Sequence, residues 1–214
     1  IQILQKKWKE AYLVDQILDN AGNKGTGSWT TIEAAKWGIP IPTLTAALNA
    51  RFMSSMWEDR RQAAAALLTS TQKQSVNIDS VMEAYQLCRI INHHQGFQLI
   101  ETVSKQESWD INLSELAQTW TAGCIIRSRL MEEIEMLIGQ SNNLLMHPIM
   151  VQKCNQSVDS LKQMLSVALF NELPMDCFSA SAQYLFGYKQ AASGASLIQA
   201  QRDFFGAHTY QLKE

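Results

Sequence analysis

A glycine-rich segment near the N-terminus has the composition of a small anion-binding turn. It runs from Gly22 to Gly27 and contains Lys24. Backbone N–H groups, the positive end of a following helix and a lysine ammonium together favour a bound anion. The segment keeps only the end glycines of a phosphate-binding P-loop, because Ser28 and Trp29 follow where that motif has lysine and a hydroxyl residue. It also lacks the third glycine and the βαβ context of a dinucleotide fingerprint. A plain flexible turn is the alternative interpretation.

Three further basic residues are candidates for binding an anion. Arg51 lies at the edge of an apolar helical stripe, where an arginine that covers the core is the ordinary interpretation. Arg202 and His208 lie in a polar segment near the C-terminus. They either keep that tail in solution or reach an anion on another subunit. Arg60, by contrast, belongs to a run of charges at residues 58–61 and is predicted to be part of a solvated surface cluster.

The remaining residues give no signal for a metal site or an activated nucleophile. His93 and His94 are adjacent in a helical pattern, so their side chains point about 100° apart. No cysteine or carboxylate stands at ligand spacing from them, and we predict no metal site. No local Ser-His-Asp or Cys-His arrangement occurs. Four cysteines without close pairing are predicted to be free thiols of a reducing cytoplasm: Cys88, Cys124, Cys154 and Cys177.

Composition and charge favour an ordinary globular protein. Of the 214 residues, 46% are hydrophobic and 18% are charged, and the net charge is −2. This balance predicts neither a nucleic-acid nor a membrane partner, and no apolar run reaches the roughly 18 residues of a membrane span. The chain starts at Ile1 inside a charged helical pattern, which suggests a piece of a longer polypeptide.

Helical periodicity extends over nearly the whole chain and predicts one all-α domain over residues 1–214. No segment alternates as a strand would. The first helix is expected to end at Ala21, a short helix to be capped by Thr30 or Thr31, and a long helix to begin near Pro42. One apolar stripe at four-residue spacing marks that long helix: Leu44, Leu48, Phe52 and Met56.

A faint internal repeat is visible around two prolines. Pro40 and Pro174 lie 134 positions apart in similar sequence contexts, and Phe52 and Phe186 keep the same separation. Two copies of one helical unit would each leave an apolar face that the other covers. The pattern predicts a duplicated helical unit.

Four separated segments together resemble one enzyme family. They are residues 21–30, 38–51, 120–128 and 196–210. In order and spacing they are similar to the C-terminal domain of the decarboxylating 6-phosphogluconate dehydrogenases, and the match covers practically the whole chain. The resemblance implies a large helical domain, itself a duplication, of an NADP-dependent enzyme of the pentose phosphate pathway. That enzyme converts 6-phospho-D-gluconate to ribulose 5-phosphate and CO2. It also implies a homodimer in which each C-terminal tail reaches into the neighbouring subunit.

The resemblance assigns five substrate-binding residues. Lys24, Thr26 and Arg51 are similar to the family's ligands for the substrate phosphate. Arg202 and His208 are similar to the pair that the partner subunit's tail supplies. A phosphate dianion favours this combination of guanidinium, ammonium and N–H donors.

The same resemblance implies what this chain lacks. The family's catalytic lysine and glutamate and its N-terminal Rossmann domain, which binds NADP, correspond to sequence before Ile1. We therefore expect no catalytic, cofactor-binding or metal residues here, and a fragment that is inactive alone. Two residues depart from the family pattern: Ser28 replaces a basic residue and Asp176 a proline. The alternative function is a stand-alone, non-catalytic helical interaction module derived from the enzyme.

Overall fold

The structure, a computed structural model, describes residues 2–69, 73–141 and 143–213. The helices in these ranges are α1 (Gln2–Gln5), α2 (Thr26–Lys36), α3 (Pro42–Ser55), α4 (Trp57–Ala66), α5 (Ile78–Gln106), α6 (Leu113–Thr121), α7 (Arg129–Ile138), α8 (Pro148–Phe170), α9 (Asp176–Tyr188) and α10 (Ala195–Gly206). Short 3₁₀ turns are at Leu13–Gln16 and Leu144–Met146. Strands β1 (Lys7–Trp8) and β2 (Ala11–Tyr12) form one two-residue antiparallel hairpin, with Lys7 opposite Tyr12. The all-α prediction is confirmed.

The N-terminal segment differs from its prediction. The expected helix ending at Ala21 is wrong, because only α1 is α-helical before the hairpin and the 3₁₀ turn. Ile3 and Trp8 are 74% and 61% exposed, so the apolar residues here have no core of this chain to pack against. A short helix without a buried face is marginal in water, which explains why the periodic pattern did not produce one.

The core is organised around α5, the longest helix. Its residues Leu87, Ile91 and Phe97 are almost completely buried and pack with apolar side chains of α6 to α9. Asn77 caps the start of α5 by accepting a hydrogen bond from the backbone N–H of Asp79 (3.0 Å). A second, smaller core lies where α2 and α3 meet the C-terminal half of α5; its buried members are Ala34, Ile41 and Leu99.

The duplication predicted from the two prolines is confirmed in backbone detail. After α2, the N–H of Ile39 donates to the carbonyl of Ala34 at 2.9 Å. After α8, the N–H of Leu173 donates to the carbonyl of Ala168 at 2.8 Å, and both partners lie 134 positions further on. The pairs α2/α3 and α8/α9 are therefore two copies of one helix–turn–helix unit.

The second helix of each unit also starts in the same way. Ile41 before α3 has φ −125° and ψ 51°, and Met175 before α9 has φ −127° and ψ 53°. Pro42 begins α3, as predicted, because its missing N–H is not needed there. Asp176 begins α9, where a carboxylate favours the positive end of the helix.

A buried polar cluster joins both units to α5. Gln95 Oε1 accepts from the backbone N–H of Thr43 (3.1 Å), and Gln95 Nε2 donates to Thr43 Oγ1 (3.0 Å). Thr43 Oγ1 is in turn 3.0 Å from Ser181 Oγ on α9. A buried amide is stable only with its hydrogen bonds made. This two-point contact therefore fixes how α3 lies on α5.

The four cysteines are free thiols, as predicted. Burial raises the pKa of Cys88 to about 12 and that of Cys154 to about 11. These two thiols are therefore poor nucleophiles at neutral pH. Among the described helices, none is both long and apolar enough to cross a membrane.

Candidate functional site

Helix α2 begins at the glycine-rich turn, which is earlier in the chain than the start predicted at Thr30 or Thr31. Gly25, with φ +92°, directly precedes α2, so the predicted cap at Thr30 or Thr31 is wrong. Those two hydroxyls instead donate back to the carbonyls of Thr26 (2.9 Å) and Gly27 (3.1 Å) inside the helix. A positive φ is accessible to glycine without a steric penalty, which explains why the chain can turn into α2 at this point.

The start of α2 offers backbone donors for an anion. Its first intrahelical bond runs from the N–H of Trp29 to the carbonyl of Gly25 (3.1 Å). The N–H groups of Thr26, Gly27 and Ser28 consequently have no acceptor within the helix. Gly25 has no side chain with which to cap them. Three N–H groups and the positive end of the helix dipole thus meet at one point.

A cleft of about 370 Å³ lies beside this helix start. It is lined by Gly27 and Thr30 of α2 and by Arg51 of α3. The Arg51 side chain makes no ion pair within the described ranges. Lys24 and Thr26 are exposed and lie just before the first lining residue, rather than in the lining itself. The apolar floor comes from α3: Leu44, Ala47 and Leu48.

Asn92 also lines this cleft and was missed in the sequence. It lies on α5, one turn before Gln95, and is half-buried. Its amide adds a neutral donor and acceptor beside Arg51. The available signal was a polar residue that interrupts the apolar pattern of a buried helix, next to His93 and His94.

The chain that enters the glycine turn is fastened to the end of α3. The N–H of Ala21 donates to Ser54 Oγ (3.0 Å), and Ser54 Oγ donates to the carbonyl of Arg51 (2.7 Å). Arg60 Nη1 donates to Asp19 Oδ2 (2.9 Å), and Arg60 Nη2 donates to the carbonyls of Asp19 (2.8 Å) and Ser54 (3.2 Å). The prediction that Arg60 is an ordinary surface charge is therefore wrong, because it connects two segments of the candidate site.

Arg202 and His208 lie together at a separate place. Both line a pocket of about 400 Å³ along α10 and the residues after it. Arg202 Nη1 donates to Gln199 Oε1 (3.3 Å), and the N–H of Thr209 donates to Asp203 Oδ1 (2.8 Å), which folds the tail back on α10. This pocket shares no residue with the Arg51 cleft. Within one chain, the five predicted residues therefore form two groups.

The described residues contain no group of three or more histidine, cysteine, aspartate or glutamate side chains placed to hold a metal. His94 is almost completely buried between α5 and α9, and its Nε2 has no hydrogen-bond partner there. Burial lowers the pKa of His94 to about 4, although Glu101 opposes this shift. His94 is a neutral core residue at physiological pH.

The fold and the cleft define a class of protein: a duplicated all-α domain in which an uncapped helix start lies beside a cleft lined by an arginine. A sequence model of the family described as 6-phosphogluconate dehydrogenase, C-terminal domain, matches residues 1–214. The chain belongs to this family.

Individual relatives agree with this assignment. The decarboxylating 6-phosphogluconate dehydrogenase of Raoultella terrigena is 39% identical, with 98% of this chain and 49% of that protein covered. The enzyme of the same description from Escherichia coli K12 is 38% identical, with 94% and 44% covered. The 6-phosphogluconate dehydrogenase of Plasmodium falciparum, a solved structure, matches with a TM-score of 0.94 and 35% identity, covering 100% of this chain and 48% of that one. That enzyme was studied in its apo form, with its cofactor NADP+ and with its substrate 6-phosphogluconate. This chain spans about half the length of these relatives.

Proposed function

We propose that this chain is the substrate-binding and dimerisation part of an NADP-dependent enzyme that converts 6-phospho-D-gluconate to ribulose 5-phosphate and CO2. The observation that carries the proposal is the cleft that Arg51 lines together with Gly27, in the uncapped first turn of α2. Family membership supports the choice of substrate. The free thiols agree with a reducing, cytoplasmic setting.

In this proposal the cleft binds the phosphate of the substrate. The Arg51 guanidinium forms two parallel hydrogen bonds to phosphate oxygens. The N–H groups of Thr26 and Gly27 bind from the helix start, and the Lys24 ammonium adds a mobile positive charge. The phosphate does not react, so its binding energy orients the sugar carbons for oxidation elsewhere in the active site.

Arg202 and His208 complete the site of a second copy of the chain. Supporting this, no residue of α10 is buried within its own chain. Phe204 and Phe205 are each 83% exposed and pack edge-on against one another (ring centroids 5.2 Å apart), an unusual exposure for two large apolar side chains. Burial of this helix against another subunit would remove these rings from water and bring its two basic residues to the partner's cleft.

The NADP cofactor is not held by the residues described here. The glycine turn follows an irregular segment rather than a strand of a parallel sheet, and no βαβ unit is present in the described ranges. These residues do not fit a dinucleotide, so the hydride acceptor belongs to another part of the polypeptide. The proposal therefore expects no NADPH formation from residues 1–214 alone.

The test is Arg51→Ala in the complete polypeptide that contains this chain. We expect the KM for 6-phosphogluconate to rise on the order of 100-fold, because a charge-assisted, two-point hydrogen bond is lost. The KM for NADP should stay within about twofold, since the cofactor is bound elsewhere. Arg127→Ala, an exposed arginine outside the cleft, is the matched control. A complete, folded wild-type polypeptide that does not reduce NADP with this substrate would refute the proposal.

A further inference from the structure

Two adjacent arginines of α4 have very different surroundings. Arg60 makes three hydrogen bonds to residues that lie 41 and 6 positions away in the chain. Arg61 pairs with Glu58 one turn earlier (3.5 Å) and stacks on the ring of Trp57 (4.7 Å), all within α4. Arg61 is an ordinary surface residue, while Arg60 bridges separate parts of the molecule.

The targets of Arg60 show what it holds. Two of its three bonds go to backbone carbonyls, those of Asp19 and Ser54. A backbone carbonyl fixes the position of the chain itself and not merely that of a side chain. Asp19 precedes the glycine turn by three residues, and Ser54 follows Arg51 by three residues. The guanidinium thus ties the approach to the turn to the last helical turn of α3.

A second pair of hydrogen bonds links the segment before the glycine-rich turn to the end of α3. Ser54 Oγ accepts from the N–H of Ala21 (3.0 Å) and donates to the carbonyl of Arg51 (2.7 Å). Residues 17–25 contain no helix or strand, so they have no ladder or helical bonds of their own to set their path. The bonds to Ser54 and Arg60 supply that constraint.

We propose that Arg60 is a positioning residue for the phosphate site. It holds the segment that precedes the glycine-rich turn, which contains Lys24, against the C-terminal end of α3, the helix that carries Arg51. This inference rests on the proposed function. A planar guanidinium can bond two carbonyls and a carboxylate in one plane, and a lysine ammonium cannot reproduce that geometry. Loss of Arg60 lets the turn move relative to Arg51, so the phosphate loses simultaneous contact with both.

The experiment compares Arg60→Met and Arg60→Lys with Arg61→Met in the complete polypeptide. For both Arg60 variants we expect the KM for 6-phosphogluconate to rise roughly tenfold, with the KM for NADP unchanged. Inhibition by inorganic phosphate should weaken by a similar factor. Arg61→Met should match the wild type. Equal effects of Arg60→Met and Arg61→Met on the KM for the substrate would overturn the proposal.

A double-mutant cycle with Lys24→Met separates positioning from general destabilisation. If Arg60 acts through the turn, Arg60→Met should add little in the Lys24→Met background. Fully multiplicative effects would contradict the inference. Hydrogen exchange at the Ala21 amide does not depend on any activity. Arg60→Met should accelerate it severalfold and Arg61→Met should not; equal exchange rates in the two variants would overturn the holding role of Arg60, whereas a wild type that does not use 6-phosphogluconate would refute the proposed function instead.

Discussion

The two copies of the helix–turn–helix unit share a backbone plan, but they carry different chemistry. At the offset of 134, Lys24 corresponds to Val158 and Arg51 to Leu185. Val158 and Leu185 line a pocket between α8 and α9 of about 170 Å³ with a mainly apolar wall. The cleft between α2 and α3, which shares with that pocket only the position of Arg51 and Leu185, contains a guanidinium and lies beside an open helix start. One architecture thus serves as core in one copy and as a candidate binding site in the other.

The difference arises mainly from where the first helix of each unit begins. The helix α8 runs without a break from residue 148 to residue 170 and passes through the positions equivalent to the glycine turn. In the other copy, Gly25 interrupts the helix, and α2 begins only at Thr26. A continuous helix satisfies its own N–H groups, whereas a helix start exposes them. A first helix that begins only after Gly25 therefore leaves open N–H groups, which the continuous helix α8 does not have at the equivalent positions.

Side-chain volume is also distributed differently between the two copies. In the first unit, Gly27 faces Leu48: a Cβ at Gly27 would lie 3.4 Å from Leu48 Cδ1. The equivalent positions in the second unit are Leu161 and Ala182, both in the main core. In the first unit the leucine is on the second helix, α3, whereas in the second unit it is on the first helix, α8. The glycine leaves room for the cleft, because a leucine at the same point fills the space.

The largest effect on substrate binding is therefore expected from Gly27→Leu, which places the leucine of the second unit at the same position of the first. The added carbons would press on Leu48, which is 7% exposed, and should lower the free energy of unfolding by about 1–3 kcal/mol. They would also occupy the cleft, so binding of 6-phosphogluconate by the complete polypeptide should fall below detection. Urea denaturation and substrate titration measure the two effects.

The double variant Gly27→Leu/Leu48→Ala sharpens this test, because it recreates the volume arrangement of the second unit. Leu48→Ala alone should cost about 2–5 kcal/mol as a cavity. The double variant should be more stable than the sum of the two single changes by at least about 1 kcal/mol. Binding should remain lost. Strict additivity would mean that Gly27 and Leu48 do not compete for one space.

The sequence predicted the features that depend on local pattern. Paired prolines revealed the duplication, and helical spacing predicted α5 and α8. Helix starts were harder, because the hydroxyls of Thr30 and Thr31 resemble caps, but the φ of Gly25 decides where α2 begins. Asn92 and Arg60 were missed for a different reason. Their neighbours belong to other segments of the chain, and a local sequence pattern does not indicate which side chains from distant segments come into contact.

The next effect concerns the contact of each unit with α5. Gln95 meets α3 with its hydrogen bonds made, whereas His94 packs on the rings of Tyr184 and Tyr188 of α9 with Nε2 unpaired. Burial lowers the pKa of His94 from 6.5 to about 4. The unfolded chain therefore binds a proton more readily than the folded one between these values, and stability falls as the pH drops through this range.

The difference between the pKa of His94 in the unfolded and in the folded chain should lower the free energy of unfolding by about 2 kcal/mol when the pH falls from 7 to 5. His94→Leu should abolish most of that loss in urea denaturation at the two pH values. The pKa of His93 is also lowered by burial, so a smaller slope of the same sign should remain. Gln95→Met is the matched control: it should lower stability equally at both pH values, since an amide does not titrate. An unchanged slope in His94→Leu would exclude His94 as its source.

The smallest effect is expected from a change at Gly25, the residue after which α2 begins where α8 is continuous. Gly25 has φ +92°, a conformation that an L-residue adopts only with strain, so Gly25→Ala should cost about 1 kcal/mol. Gly187 lies inside α9 with open space around its Cα, and Gly187→Ala should stabilise the protein by up to about 1 kcal/mol. Thermal unfolding of the two variants should therefore shift in opposite directions. The position equivalent to Gly25 is Asp159, in the interior of α8. If Gly25→Ala were as stable as the wild type, the helix start would not depend on this backbone conformation, and the open N–H groups of α2 would need another cause.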